Sequence, residues 1–328
     1  MDRKTVMNIE MIRAAAQRLE GQARRTPLLS SPFLDEIAGR RLWVKPECLQ
    51  HTGSFKFRGA YNALAAMDAQ VRKRGVIAFS SGNHAQGVAL AARMHGVPAV
   101  IIMPADSPAL KLANTAALGA EVITYDRATE DRDEIGERLS AERGLTLVKP
   151  FDEPQVIAGQ GTCGLEIAQQ AAEQGIETAD VIVCCGGGGL TSGIALALEA
   201  EAPGLRVRPA EPAGFDDVSR SLVSGRIERN AQGSGNICDA ILTPQPGNIT
   251  FPILSRLCGP GLVVTEEEAL AAMGQAFNRL KLVAEPGAAV ALAAALYRAD
   301  QIAGEDVIVT ISGGNVDPAM FARALATL

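Results

Sequence analysis

Histidine is scarce: His51, His84 and His95 are all that occur in 328 residues. A histidine-rich metal site is therefore not expected. The six cysteines, Cys48, Cys163, Cys184, Cys185, Cys238 and Cys258, form no CxxC pair. A chain this long needs no disulfide staples, so they read as buried free thiols of a cytoplasmic protein. There is no basic block and the formal charge is -6, which disfavours nucleic acid and anionic membranes as partners. No run of about eighteen uncharged apolar residues occurs, so no membrane span is expected. Met1 to Leu19 is charged and helical in pattern, unlike a signal peptide. Lysine is sparse, with Lys45, Lys56, Lys73, Lys111 and Lys149 far apart. What is abundant is apolar: 47% of residues are hydrophobic, enough core for two lobes.

The stretch from Leu49 to Ala60 stands out. It follows an extended run from Arg41 to Lys45 and leads into a helix continuing from Ala60 to Met67. Lys56 sits at that strand-to-helix junction, after Gly53 and Ser54 and between Phe55 and Phe57. An apolar setting lowers a lysine's pKa and fits it for Schiff-base or base chemistry. The plainer reading is a surface lysine snorkelling over two rings. Beyond it, strands at Val76 to Phe79, Ala99 to Met103, Glu121 to Tyr125 and Thr146 to Val148 alternate with three helices, which specifies a parallel sheet with covering helices. Further on, Val156 to Gln160 leads into a helix from Thr162 to Glu173, and Ala179 to Cys184 is the strongest buried-strand signal. Residues 226 to 250 are loop-like, with short strands and turns expected within so long a connection. Thr265 and Glu268 form a capping box for a helix ending near Leu280.

Four polar or glycine-rich turns follow predicted strands: Ser54 to Arg58, Ser80 to His84, Gly186 to Gly189 and Ser312 to Asn315. Ligands bind at that edge of open parallel sheets. Four consecutive glycines before a helix let backbone N–H groups turn inward around a phosphate. No Gly-Lys-Ser/Thr follows, so this is not a Walker loop. Ser81, Gly82, Asn83 and His84 offer donors at another helix start, although Ser and Asn cap helices routinely. Ser312 could meet a neutral ring nitrogen. With an amine from Lys56, these turns describe pyridoxal 5'-phosphate (PLP), the electron sink for carbanion chemistry at an amino acid α-carbon.

The residues Thr52 to Ala60, Ser80 to His84, Gly186 to Gly189, Glu211-Pro212 and Ser312 to Asn315, in this order, resemble those of the fold-type II PLP enzymes of the tryptophan synthase β superfamily. Within it the chain looks like the threonine/serine dehydratase and serine racemase branch. The resemblance covers nearly the whole length. It implies an α/β, two-domain, three-layer αβα fold with mostly parallel sheets. Residues 1–51 and 151–328 would form a large PLP-binding domain and residues 52–150 a small one, with Lys56 at the junction. It implies that Lys56 carries PLP as a Schiff base and moves the α-proton, with Phe55 packing beside the cofactor. Gly186, Gly187, Gly188 and Gly189 would bind the phosphate, Asn83 the ring hydroxyl and Ser312 the pyridine nitrogen. Ser81, Gly82, Asn83 and His84 would hold the substrate carboxylate. In racemases of this branch the serine matching Ser81 works on the opposite face. A cation site is also implied, with Glu211, Asp217 and the backbone carbonyl of Phe215 as ligands of Mg²⁺ or Ca²⁺.

The implied reaction is dehydration and deamination of L-threonine to 2-oxobutanoate, or of L-serine to pyruvate, with loss of ammonia. Lys149-Pro150-Phe151-Asp152 resembles the dehydratase form. His51 and Cys48 depart from the lysine and asparagine common there, and Phe215 is bulkier than usual. One alternative is 3-hydroxyaspartate dehydratase forming oxaloacetate, which needs a further cation or donor; His51 or an arginine is a candidate. Others are serine racemase with side dehydratase activity, or an amino-acid-binding regulatory protein without turnover. The chain stops where the catalytic module of the resembled enzymes ends, which suggests a short form without isoleucine control. Nucleotide activation stays open, and a cytoplasmic homodimer is expected.

Overall fold

The computed structural model describes residues 7–80, 82–107, 109–126 and 128–328. Ten strands form two sheets. They are β1 (Leu29–Ser30), β2 (Arg41–Pro46), β3 (Val76–Phe79), β4 (Ala99–Pro104), β5 (Glu121–Tyr125), β6 (Thr146–Leu147), β7 (Ala179–Cys184), β8 (Leu205–Pro212), β9 (Leu262–Val264) and β10 (Asp306–Ile311). The first sheet has six strands in the order β1-β2-β10-β7-β8-β9, and the second has four in the order β5-β4-β3-β6. Every pair is parallel except β1 with β2. The central strands are buried along their whole length, as a sheet covered on both faces requires.

The helices up to the second sheet's end are α1 (Ile9–Leu19), α2 (Pro32–Ala38), α3 (Lys56–Ala66), α4 (Ala69–Lys73), α5 (Asn83–His95), α6 (Ala109–Ala117) and α7 (Arg132–Arg143). Then follow α8 (Pro154–Glu173), α9 (Gly189–Glu201), α10 (Asp217–Ser224), α11 (Thr250–Leu257), α12 (Glu266–Gln275), α13 (Pro286–Tyr297) and α14 (Pro318–Leu325). Local chemistry explains their ends. Asn8 caps α1 by accepting from the Met11 amide, and Gly39 closes α2 at φ 66°. Thr265 and Glu268 close a capping box on α12. Helix α13 is buried on all sides, and its alanines let it sit within the largest apolar cluster.

Three elements differ from the sequence expectation. Helix α8 is one helix of 20 residues, starting at Pro154 with Glu153 as its cap. Its glycines do not break it; they let neighbours approach. A Cβ on Gly159 would lie 2.5 Å from the Arg58 carbonyl oxygen, and one on Gly161 2.9 Å from that of Gly193. Residues 226–250 hold no strand, only a 3₁₀ turn at Asp239–Ile241 before α11. Side chains pin this segment instead: Asn230 donates to Asp217 and to the Thr243 carbonyl, and Asp152 accepts from the amides of Asn248 and Ile249. Finally, α12 passes at Ala276 into a π-helical turn that ends at Lys281 with φ 60°.

A buried ionic network fastens α3 to the larger sheet. Arg58 donates to Glu47 and Glu166, and Lys45 donates to Glu166. Arg58, Lys45 and Glu47 are almost wholly inaccessible. Two cations facing two anions satisfy one another, which is the condition for burying them.

Candidate active site

The turns after β2, β3, β7 and β10 open at the carboxyl ends of their strands and line one cavity of about 330 Å³ between the sheets. The turn after β10 is its hub. The Phe55 amide donates to the Ser312 carbonyl, the Gly314 amide to the Gly53 carbonyl, and the Glu285 amide to the Gly313 carbonyl. Asn315 donates to the Thr52 carbonyl and to the Asn83 side-chain oxygen. Thr52 at φ 58° and Gly53 at φ 71° bend the chain so that α3 begins at Lys56. Thr52 carries the conformational strain, since a branched side chain rarely adopts that region.

Lys56 is half-buried in the cavity wall. Its Nζ donates to the Pro150 carbonyl at 2.7 Å and lies 5.1 Å from the centre of the Phe55 ring. Burial lowers its pKa to about 8, and the Glu285 carboxylate resists that shift. Burial in turn pushes Glu285 up to about 7, opposed chiefly by a hydrogen bond from Asn83 at 2.5 Å. Glu285 precedes Pro286 at the start of α13, and its side chain makes no cap bond to that helix but reaches across to Asn83. Asn83 is thereby held between Glu285 and Asn315, with one amide hydrogen and one oxygen lone pair left for a ligand.

His84 is fixed as a neutral ring. Its Nε2 stands 2.8 Å from the Val148 carbonyl, which can only accept, so Nε2 carries the proton. Burial pushes its pKa down to about 3, and its Nδ1 has no partner among the described residues. The side chain therefore presents a lone pair and cannot hold a carboxylate. The donors toward an anion here are the first-turn amides of α5. Gly82 precedes that turn and lines the cavity, whereas the Ser81 assignment lies outside the described residues.

Gly186 to Gly189 form the opposite wall, and α9 starts on Gly189 with Gly188 as its cap at φ 92°. Side chains are excluded by contact. A Cβ on Gly187 would lie 2.3 Å from the Phe151 ring, and one on Gly186 3.1 Å from the Ile241 carbonyl oxygen. Thr250 and the Gly247 amide both bond the Gly187 carbonyl, holding the loop from behind. The buried Thr191 hydroxyl in this wall lies beside the Cys185 thiol and has no oxygen or nitrogen partner among the described residues. A buried hydroxyl in that state lacks an acceptor, and a phosphate oxygen supplies one. Ser312 lines the cavity beside the Cys184 thiol. An amine of lowered pKa, a glycine cradle with an unsatisfied hydroxyl, and a serine between them fit PLP.

Glu211 and Asp217 lie outside the cavity lining, behind the glycine turn. The Cys185 amide bonds the Ala210 carbonyl next to Glu211. Glu211 accepts from the Val218 and Ser219 amides and the Ser219 hydroxyl. Asp217 accepts from Asn230 through one oxygen, and the other is buried without a partner among the described residues. Burial raises Glu211 to about 8 and Asp217 to about 6, and the Asp217 charge adds to the shift of Glu211. Phe215 is buried, with its amide on the Pro212 carbonyl. Among the described residues no group of three His, Cys, Asp or Glu side chains gathers as a metal cluster. The pair with its orphaned oxygen fits a hard cation that takes further oxygen ligands.

Sequence reasoning missed Lys111, Arg132, Thr191 and Glu285, all of which line the cavity. His51 does not line it; its ring packs edge-on to Phe57 at 4.9 Å.

Comparison with known proteins agrees with this chemistry. The family described as "Pyridoxal-phosphate dependent enzyme" matches residues 19–314. An L-threo-3-hydroxyaspartate ammonia-lyase from Pseudomonas sp is 44% identical over 95% of this chain and 96% of its own length. A serine racemase from Dictyostelium discoideum is 38% identical over 99% of this chain and 100% of its own. The crystal structure of a threonine deaminase from T.th. superposes with a TM-score of 0.89 at 43% identity, covering 94% of this chain and 99% of that one.

Proposed function

Because the chain belongs to the pyridoxal-phosphate dependent enzyme family, we propose that it deaminates a 3-hydroxy amino acid by eliminating water and then taking one water back, so that the net products are a 2-oxo acid and ammonia. The observation that carries this reading is Lys56, an amine of lowered pKa facing a glycine cradle across one cavity. Lys56, Phe55, Asn83, Gly186 to Gly189 and Ser312 would hold PLP. When bound, that group supplies an electron sink for the carbanion formed at the α-carbon.

The chain's own residues do the rest. The α5 amides orient the substrate α-carboxylate, and Asn83 stays fixed by Glu285 and Asn315. Lys56 Nζ takes the α-proton. That proton suffices to convert the departing β-hydroxyl to water, so the elimination balances without an external acid. His84 cannot supply it, because its one N–H is committed to Val148. The enamine product takes up water and yields the 2-oxo acid and ammonium. The cavity between the two sheets keeps bulk water from the carbanion. L-threonine gives 2-oxobutanoate and L-serine gives pyruvate.

A second reading, L-threo-3-hydroxyaspartate to oxaloacetate, is favoured by the cations Lys111 and Arg132 in the cavity wall and by the Pseudomonas relative's activity. Racemisation of serine rests on Ser81 and on the Dictyostelium relative. Glu211, Asp217 and the Phe215 carbonyl would hold a divalent cation that supports the glycine turn from behind.

The test is a spectrum with a product assay. Protein purified with PLP and Mg²⁺ is given L-threonine, L-serine, D-serine and the 3-hydroxyaspartate isomers. A visible cofactor band, lost with all oxo-acid formation in Lys56→Ala, is the expected outcome. Absence of the band from the unaltered protein, or oxo-acid formation that survives Lys56→Ala, would sink the assignment.

A further inference from the structure

Lys111, on α6, and Asp239, on the 3₁₀ turn after residue 238, belong to opposite sides of the cavity that holds Lys56. They meet across it at 3.6 Å. That spacing exceeds a hydrogen bond, and Asp239 is 66% exposed in its side chain. Such a pair adds little to stability. Fold stability therefore does not explain why a lysine is turned into the cavity. Both groups are close enough to Glu285 to act on its charge, Asp239 raising its pKa and Lys111 lowering it. Lys111 and Glu285 line the same cavity.

We propose that Lys111 receives the second carboxylate of a dicarboxylic 3-hydroxy amino acid, and that Asp239 occupies that position as a built-in carboxylate until the substrate displaces it.

The exchange favours the substrate for a physical reason. Asp239 is solvated when released, so leaving Lys111 does not strand it. The arriving carboxylate is already tethered, because the substrate's other carboxylate and amine are held elsewhere in the cavity; its effective concentration at Lys111 is on the order of millimolar or higher. A substrate with methyl or hydrogen in that place leaves the Lys111–Asp239 contact standing. The site therefore discriminates by charge while still admitting smaller substrates. Arg132 lines the same cavity.

This inference rests on the proposed dehydratase reading, and its test separates the two. The probes are succinate and butyrate, which share a four-carbon skeleton and differ by a carboxylate in place of a methyl. Their Kd values are measured by calorimetry on the PLP-loaded protein. The unaltered protein binds succinate more tightly than butyrate. Lys111→Met reduces that preference by about 10- to 100-fold, the range for losing a hydrogen bond to a charged group. Lys111→Arg retains it, and Asp239→Asn enlarges it by about 2- to 5-fold. In parallel, the ratio of kcat/KM for L-threo-3-hydroxyaspartate over L-threonine falls in Lys111→Met. Equal Kd values in the unaltered protein, or a preference unmoved by Lys111→Met, overturns the inference. If no hydroxy amino acid yields an oxo acid, the dehydratase reading fails, and the succinate comparison still decides the role of Lys111.

Discussion

At the scale of single residues, the site depends on the charge of Lys56. An ordinary lysine leaves roughly one amine in three thousand unprotonated at pH 7, whereas one titrating near 8 leaves about one in ten. The pKa of Lys56, lowered to about 8 by burial, therefore makes it a competent nucleophile at neutral pH. Only the neutral amine reacts, so the rate of PLP loading onto stripped protein rises with pH and inflects near 8, not near 10.5. Stopped-flow absorbance across pH 6 to 10 measures this. The Glu285 carboxylate works against the lowering, so Glu285→Gln moves the inflection to lower pH. A profile still climbing steeply between pH 9 and 10, or one unmoved in the variant, contradicts this account of the site.

At the scale of elements, glycine positions decide how closely helices approach. The Gly159 α-carbon on α8 faces the backbone of Arg58 and Gly59, with a built Cβ only 2.5 and 2.7 Å away. Backbone cannot swing aside as a long side chain can. Gly159→Ala therefore lowers stability by about 1 to 3 kcal/mol or more. Gly233→Ala, where a Cβ meets nothing within 4 Å, changes it little. Denaturant melts of the two variants check the contrast, and equal midpoints would refute the close-packing explanation. The same glycines explain where the sequence was hard to read. They imitate a break inside α8, because their reason lies on α3, about a hundred residues away in the chain. The ligand turns were legible because a phosphate or carboxylate needs local features: small residues, a strand before and a helix after. Glu285 and Lys111 were not legible. The Glu285 partner lies 202 positions away, and Lys111 is defined by a turn in a segment whose sequence promises short strands but forms none.

At the scale of the whole molecule, two buried charge groups contrast. Around Arg58, two cations neutralise two anions, joining β2, α3 and α8. Around Glu211, two carboxylates lie together at the end of β8 and the start of α10, with neutral donors and, among the described residues, no ion pair to either. Burial of the two carboxylates raises both pKa values, with the Asp217 charge adding to the rise of Glu211, and carboxylates held away from water without a cation weaken the folded state. A divalent cation that binds there only when the chain is folded adds RT ln(1 + [L]/Kd), about 2.7 kcal/mol at a hundredfold excess over Kd. Mg²⁺ or Ca²⁺ therefore raises the melting temperature by a few degrees, and EDTA reverses the rise. In Glu211→Gln the cation response disappears, while the metal-free melting temperature stays near that of the unaltered protein, because Glu211, raised to about 8, is already largely uncharged at neutral pH. Scanning calorimetry on the PLP-loaded protein, with and without each cation, makes the measurement. A melting temperature that responds to neither cation nor chelator removes the cation from the proposal and leaves the Lys56 chemistry intact, since neither carboxylate lines the cavity that holds Lys56.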